Sequence, residues 1–239
     1  MELHVYNSKE DVAENFSKYF RKAVKGEDIF RVALSGGSTP KIIFDFMAEH
    51  YKEDLDWSRI HLFWGDERCV PPSDEESNYK MTKDHLLSKV DIPEENIFRI
   101  KGENDPKTEA KRYSEVLKND LPSANGLPQF DLVILGMGGD GHTASIFPNE
   151  IHLWDETDYC AVATHPESGQ KRVGLTGGII NNAKTVAFLV TGESKTEKVA
   201  EIIGQEKGYK SYPASKVNPK SKDLHWYLDT AAAKGLKDN

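Results

Sequence analysis

Asp140 and His142 stand two residues apart in a stretch, residues 130–148, that reads Phe-Asp-Leu-Val-Ile-Leu-Gly-Met-Gly-Gly-Asp-Gly-His-Thr-Ala-Ser-Ile-Phe-Pro. A carboxylate beside an imidazole is the minimum equipment for general-base chemistry. Histidine ordinarily titrates near neutral pH, and a carboxylate can orient its ring. Thr143 joins them as a candidate by position, and the glycines give a substrate room to approach the backbone. A second group is Ser35-Gly36-Gly37-Ser38-Thr39-Pro40, where hydroxyls and free N–H groups gather at a predicted helix start, a favoured place for a phosphate. A third, in Gly65-Asp-Glu-Arg-Cys-Val-Pro-Pro72, offers Asp66 and Arg68, which either meet a polar substrate or pair with each other on the surface. Arg172 and Lys195 are two more cations able to complete an anion site. A lysine at a helix start opposes the helix dipole, which favours a functional reason for Lys195.

The elements that must position these residues can be read from hydrophobic pattern. Leu132-Val-Ile-Leu135 is an unbroken apolar run stopped by glycines, the pattern of a strand covered on both faces of a parallel sheet. Similar runs predict strands over residues 3–6, 29–34, 60–64, 96–100, 159–164, 184–191 and 225–229. Helical spacing predicts helices over residues 8–24 (capped by Ser8), 40–50 (capped by Ser38 or Thr39), 77–87 and 106–117, with another opening at residues 192–195 and an Ala-rich one at the carboxyl end. Residues 65–79 and 121–128 are expected to be loops. The alternation implies an α/β fold, a Rossmann-like, mostly parallel sheet flanked by helices on both faces, in a single domain over residues 1–239. Each candidate then lies at or near a strand end, and ligands of open parallel sheets bind at the carboxyl edge.

Several alternatives lose ground on the same residues. Gly136-x-Gly138-x-x-Gly141 spells a dinucleotide fingerprint, but Asp140 puts a negative charge inside the cradle and the motif comes far too late in the chain. Gly192-Glu-Ser-Lys195 lacks the spacing of a nucleotide-binding loop. A net charge of −8 disfavours nucleic acid and acidic membranes, while leaving a phosphorylated small molecule open. No apolar run approaches the ~20 residues of a membrane span. Cys69 and Cys160 are too few for a disulfide framework or a cysteine zinc site, which fits a reducing, cytoplasmic setting, and Cys69 is expected to pack as a small apolar residue. His4, His50 and His225 are read as having no role.

With these residues in hand, the chain resembles the 6-phosphogluconolactonase family over almost its whole length. The match is carried by Ser35-Gly-Gly-Ser-Thr-Pro40, Gly65-Asp-Glu-Arg-Cys-Val-Pro-Pro72 with Ser77-Asn-Tyr79, residues 135–148, Arg172-Val-Gly-Leu-Thr176 and Gly192-Glu-Ser-Lys195. The resemblance implies a cytoplasmic hydrolase of the oxidative pentose phosphate pathway, a monomer or weak homo-oligomer, acting on a small sugar-phosphate lactone without cofactor or metal. It implies that His142 activates water, that Asp140 either orients the imidazole or only shapes the loop, and that Arg68 with glycine-loop N–H groups stabilises the oxyanion; Asp66 completes the catalytic set. Gly36, Gly37, Ser38, Thr39, Arg172 and Lys195 would hold the phosphate. The related glucosamine-6-phosphate deaminases place a glutamate just before the closing proline, where this chain has Phe147, so the lactonase reading is preferred to deamination or to a sugar-phosphate sensor.

Overall fold

The computed structural model describes residues 1–236. The chain begins with an edge strand, β1 (Glu2–Tyr6), and a long amphipathic helix, α1 (Lys9–Lys25), whose first turn is capped by Ser8 Oγ accepting from the Asp11 N–H. Then come β2 (Phe30–Leu34), α2 (Ser38–His50), β3 (Ile60–Trp64), β4 (Asp66–Arg68), α3 (Asn78–Thr82), β5 (Ile97–Phe98) and α4 (Pro106–Asp120). A two-residue hairpin, β6 (Ser123–Ala124) and β7 (Leu127–Pro128), leads into β8 (Leu132–Leu135). The second half supplies β9 (Cys160–Thr164), β10 (Lys171–Leu175), α5 (Gly177–Ile180), β11 (Thr185–Val190), α6 (Thr196–Ile203), β12 (Leu224–Asp229) and α7 (Thr230–Ala233).

The main sheet has seven strands in the order β1-β12-β11-β8-β2-β3-β5, and every pairing is parallel. Successive side chains of a strand point to opposite faces. All four residues of β8 and all six of β11 are buried, so both faces are covered, as the apolar runs require. Chain order runs one way from β2 through β3 to β5 and the other way from β8 through β11 to β12. The reversal falls between the neighbours β2 and β8, and a crevice at such a switch point is where doubly wound sheets take ligands. The loops leaving those two strands are the Ser-Gly-Gly-Ser-Thr segment and the Asp140–His142 segment.

Four expectations need correction. Residues 65–79 are not wholly loop: Asp66–Arg68 forms β4, which pairs antiparallel with β10 in a small second sheet, β4-β10-β9. Three charged residues paired to a segment more than a hundred positions away leave no local pattern to read. Residues 121–128 contain the β6–β7 hairpin, turned at Asn125-Gly126 with both φ angles positive. The helix expected over residues 77–87 is a short α-helix capped by Ser77 that widens into a π-helical turn at Lys83–Leu87. Finally α2 begins at Ser38, and its cap is Gly37, at φ 113°, with no side-chain bond from Ser38 or Thr39. That backbone angle is open to glycine and strained for other residues.

Candidate functional site

Ten of the residues singled out by sequence come together, Asp140 excepted, in the lining of one cleft of about 230 Å³ at the switch point: Gly36, Gly37, Ser38, Thr39, Asp66, Arg68, His142, Arg172 and Lys195 with Ser35. Asp140 stands directly behind His142, its Oδ1 2.6 Å from Nδ1 and also accepting the His142 N–H at 3.1 Å. Burial works to raise the Asp140 pKa, but the hydrogen bond and charge of the imidazole outweigh it, holding the carboxyl at about 2. An ionised carboxylate can only accept, so in the neutral imidazole Nδ1 carries the proton and Nε2 is the free nitrogen. The glycine pattern serves this pair. A Cβ on Gly138 would sit 2.2 Å from Nδ1 and 2.5 Å from Asp140 Oδ1, so any side chain there would displace the couple.

The loop after β8 feeds no helix. It closes through a bridge between Thr143 and Ile146 and enters a 3-10 turn at Pro148, so there is no helix dipole to receive a dinucleotide pyrophosphate. Two glycine-loop donors expected to be free are committed internally: Gly138 N–H to His142 O at 2.9 Å, and Gly141 N–H to Gly138 O at 3.1 Å. Thr143 lines the cleft but is buried, with its hydroxyl donated to Gly136 O. Within the tight turn, Ala144 and Ser145 both have positive φ, 48° and 60°, an uncommon and strained arrangement for residues with a Cβ. Its result is the placement of Ser145, which donates its hydroxyl to Asp66 Oδ2 and lies 3.4 Å from Arg172 Nη1.

Asp66 and Arg68 do not form the surface pair that was the alternative reading. Asp66 is buried against Ser145, while Arg68 Nη1 donates to the Glu76 carbonyl at 2.6 Å. Arg68 and Arg172 are register partners across β4 and β10. Two like charges directly opposite one another repel. Burial first, and then Arg68, lower the Arg172 pKa, and burial also lowers that of Lys195, with Asp140 pulling the other way. None of the three cations has a carboxylate within 4.0 Å among the described residues, although acidic side chains outnumber basic ones, 39 to 31. An anion in the cleft would relieve all three. The cleft is also lined by the first turn of α2, which contains no acidic residue, and by Thr39, whose Oγ1 is 2.8 Å from Thr191 Oγ1. Lys195 ends a 3-10 turn and occupies the cap position of α6, held there by Gly192, whose N–H donates to Asp229.

Sequence reasoning missed three residues. Glu67 is buried and accepts from the N–H groups of Arg68, Asn78 and Tyr79 and from the Ser77 hydroxyl. Burial raises its pKa, opposed by those four donors. It thereby fastens the amino end of α3 to β4, and Asn78 of that helix lines the cleft and donates to Asp66 O. The third is Ser145. Strand alternation of Asp66-Glu-Arg68 would have turned Glu67 away from its neighbours, but only once the segment was known to be a strand. Phe147 is fully buried between the His142 ring, 4.7 Å away, and the Arg172 guanidinium, 5.5 Å from its centroid. Cys69 and Cys160 are pushed up by burial to about 11 and about 12, which removes them as nucleophiles.

Residues 7–226 match the family described as glucosamine-6-phosphate isomerases/6-phosphogluconolactonase. The chain is 45% identical over 202 residues to the 6-phosphogluconolactonase of Treponema pallidum, covering 84% of each chain, and 47% identical over 206 residues to that of Haemophilus influenzae, covering 86% of this chain and 87% of the relative. Among solved structures, the 6-phosphogluconolactonase of Trypanosoma brucei superposes with a TM-score of 0.89 at 27% identity, over 99% of this chain and 98% of that one. A monomeric glucosamine-6-phosphate deaminase, at 20% identity and a TM-score of 0.84, shares the fold. By the extent of the family match and by these relatives, the chain belongs to the glucosamine-6-phosphate isomerase/6-phosphogluconolactonase family.

Proposed function

We propose that the chain hydrolyses 6-phospho-D-glucono-1,5-lactone to 6-phospho-D-gluconate, as a carboxylic ester hydrolase of the oxidative pentose phosphate pathway. The observation that carries this reading is a histidine with its Nδ1 engaged by an ionised carboxylate, in a cleft with three cations that have no carboxylate within 4.0 Å among the described residues. The phosphate sits between the amino end of α2, with Gly36, Gly37, Ser38 and Thr39, and the side chains of Arg172 and Lys195. Remote binding of this kind places the lactone carbonyl for attack. Nε2 of His142 takes a proton from water as the water oxygen bonds to the carbonyl carbon, and Asp140 steadies the imidazolium. Arg68 stabilises the developing oxyanion. The tetrahedral intermediate then expels the ring oxygen, breaking the bond from the carbonyl carbon to that oxygen, and the proton on His142 passes to the ring oxygen as it leaves. Asp66 holds Ser145 and, through it, Arg172.

Phe147 supports hydrolysis over deamination, because deamination with isomerisation calls for an additional acid–base group, and an apolar ring fills the space between His142 and Arg172. The test is direct. Purified protein should accelerate acid release from 6-phosphogluconolactone well above its spontaneous opening and should release no ammonia from glucosamine 6-phosphate. Ammonia release without faster lactone opening would overturn the proposal.

A further inference from the structure

At the amino-terminal ends of β1 and β12, on the edge of the sheet opposite the cleft, Glu2, His4 and His225 bring three metal-ligand atoms together. His4 Nε2 lies 3.0 Å from His225 Nδ1, His225 Nδ1 3.5 Å from Glu2 Oε2, and His4 Nε2 3.8 Å from the same oxygen. Bonds of ~2.0–2.1 Å from a tetrahedral zinc ion separate its ligands by about 3.3 Å, so the three spacings bracket one face of such a tetrahedron. The backbone enforces the grouping. Glu2 is the register partner of His225 in a parallel pair, and His4, two residues on, shares the face of Glu2.

The surroundings have the features of a ligand site. His225 is buried, and its other nitrogen, Nε2, is 2.9 Å from Asp223 Oδ1, the outer-shell carboxylate that commonly fixes the tautomer of a metal-bound imidazole. Thr185 Oγ1 donates to the other oxygen of Asp223 at 2.5 Å. The His4 ring is stacked on Tyr227, 4.5 Å between centroids. Glu2 and Asp223 have no lysine or arginine within 4.0 Å among the described residues, so neither carboxylate is committed to a fixed cation.

We propose that Glu2, His4 and His225 form a binding site for a borderline divalent transition-metal ion, zinc being the reference case, with water as fourth ligand. The ion clips the edge strand β1 to β12 and takes no part in the chemistry of the cleft. A carboxylate, two imidazoles and an open position suit zinc, and the affinity order of first-row ions extends the site to cobalt and nickel.

Calorimetric titration of untagged, chelator-treated protein with zinc chloride tests this, with visible absorption of the cobalt-substituted protein as the geometric readout. One ion per chain is expected, with the intense absorption of four-coordinate cobalt. His4→Phe, which keeps the stacked ring and deletes the nitrogen, should weaken binding at least ~10-fold, and Asp223→Asn ~10–100-fold. Both variants should keep the catalytic activity of the unaltered chain. Glu2→Gln, at an exposed position, serves as a second ligand deletion if His4→Phe folds poorly. Absence of stoichiometric binding, or binding equally tight in His4→Phe and Glu2→Gln, would overturn the proposal, the second result placing the ion on other histidines.

Discussion

The catalytic proposal turns on which nitrogen of His142 is free, and that is decided by Asp140. Its carboxyl pKa, about 2 in the fold against an ordinary 3.8, means that the contribution of this carboxylate to stability is fully present above pH 4 and is lost as the pH falls toward 2. Between pH 5 and 8 it stays ionised and constant. An acid-side loss of turnover in that range then comes from the imidazole, which must be neutral to accept a proton, or from the substrate phosphate, whose second ionisation falls near pH ~6; an unphosphorylated lactone isolates the imidazole. The expected profile for opening of the unphosphorylated lactone is a single acid limb, with no second limb from Asp140 in the measurable range. His142→Asn should lower kcat by ~10²–10⁴ with KM little changed. Asp140→Asn should also lower kcat, because an amide in place of the carboxylate no longer requires Nδ1 to be the donor. A His142→Asn variant with full turnover would remove the base assignment outright.

At the scale of elements, the cleft depends on a joint that has no counterpart in the chemistry. Glu67 ties β4 to the start of α3 through four donors, so Arg68 on the strand and Asn78 on the helix reach the cleft as one unit. Glu67→Gln turns an amide N–H₂ toward groups that are themselves donors, at a cost of about 1–3 kcal/mol for the buried groups left unpaired. The expected result is a lower urea midpoint together with a raised KM for the phosphorylated lactone, whereas Glu75→Gln, eight residues away and exposed, should stay within about 0.5 kcal/mol. Unchanged stability in Glu67→Gln would mean that the joint is dispensable. The same joint marks how far the sequence could be read. The central strands were legible because burial on both faces leaves continuous apolar runs, as in Leu132–Leu135, and the strand-end loops were legible because their glycines and hydroxyls have local conformational reasons. β4 was not, since its pairing with β10 is remote and its residues are charged. The strained turn at Ala144-Ser145 was not, since nothing in Thr-Ala-Ser-Ile announces positive φ.

For the whole molecule, the decisive fact is the location of the cations. Acidic side chains exceed basic ones overall, yet Arg68, Arg172 and Lys195 line the one crevice where the sheet reverses direction, and burial depresses Arg172 and Lys195. Burial of those charges costs stability, and on the proposed reading a bound phosphate monoester would return it. Ligand binding to the native state alone stabilises by RT ln(1 + [L]/Kd), about 2.7 kcal/mol at one hundred times Kd, which for a chain of this size raises Tm by about 5–10 °C. 6-Phosphogluconate should therefore raise Tm in a concentration-dependent way, while gluconate at equal concentration should leave it nearly unchanged. In Arg172→Ala and Lys195→Ala the phosphate-dependent shift should shrink or vanish, and KM for the phosphorylated lactone should rise far more than that for the unphosphorylated one. The effect should also weaken as salt is added, since partly exposed charges are screened within ~8–10 Å at ordinary ionic strength. Equal shifts from gluconate and 6-phosphogluconate, or equal losses for both lactones in the two variants, would mean that these cations do not read phosphate and that the hydroxyl-rich start of α2 binds some other part of the substrate.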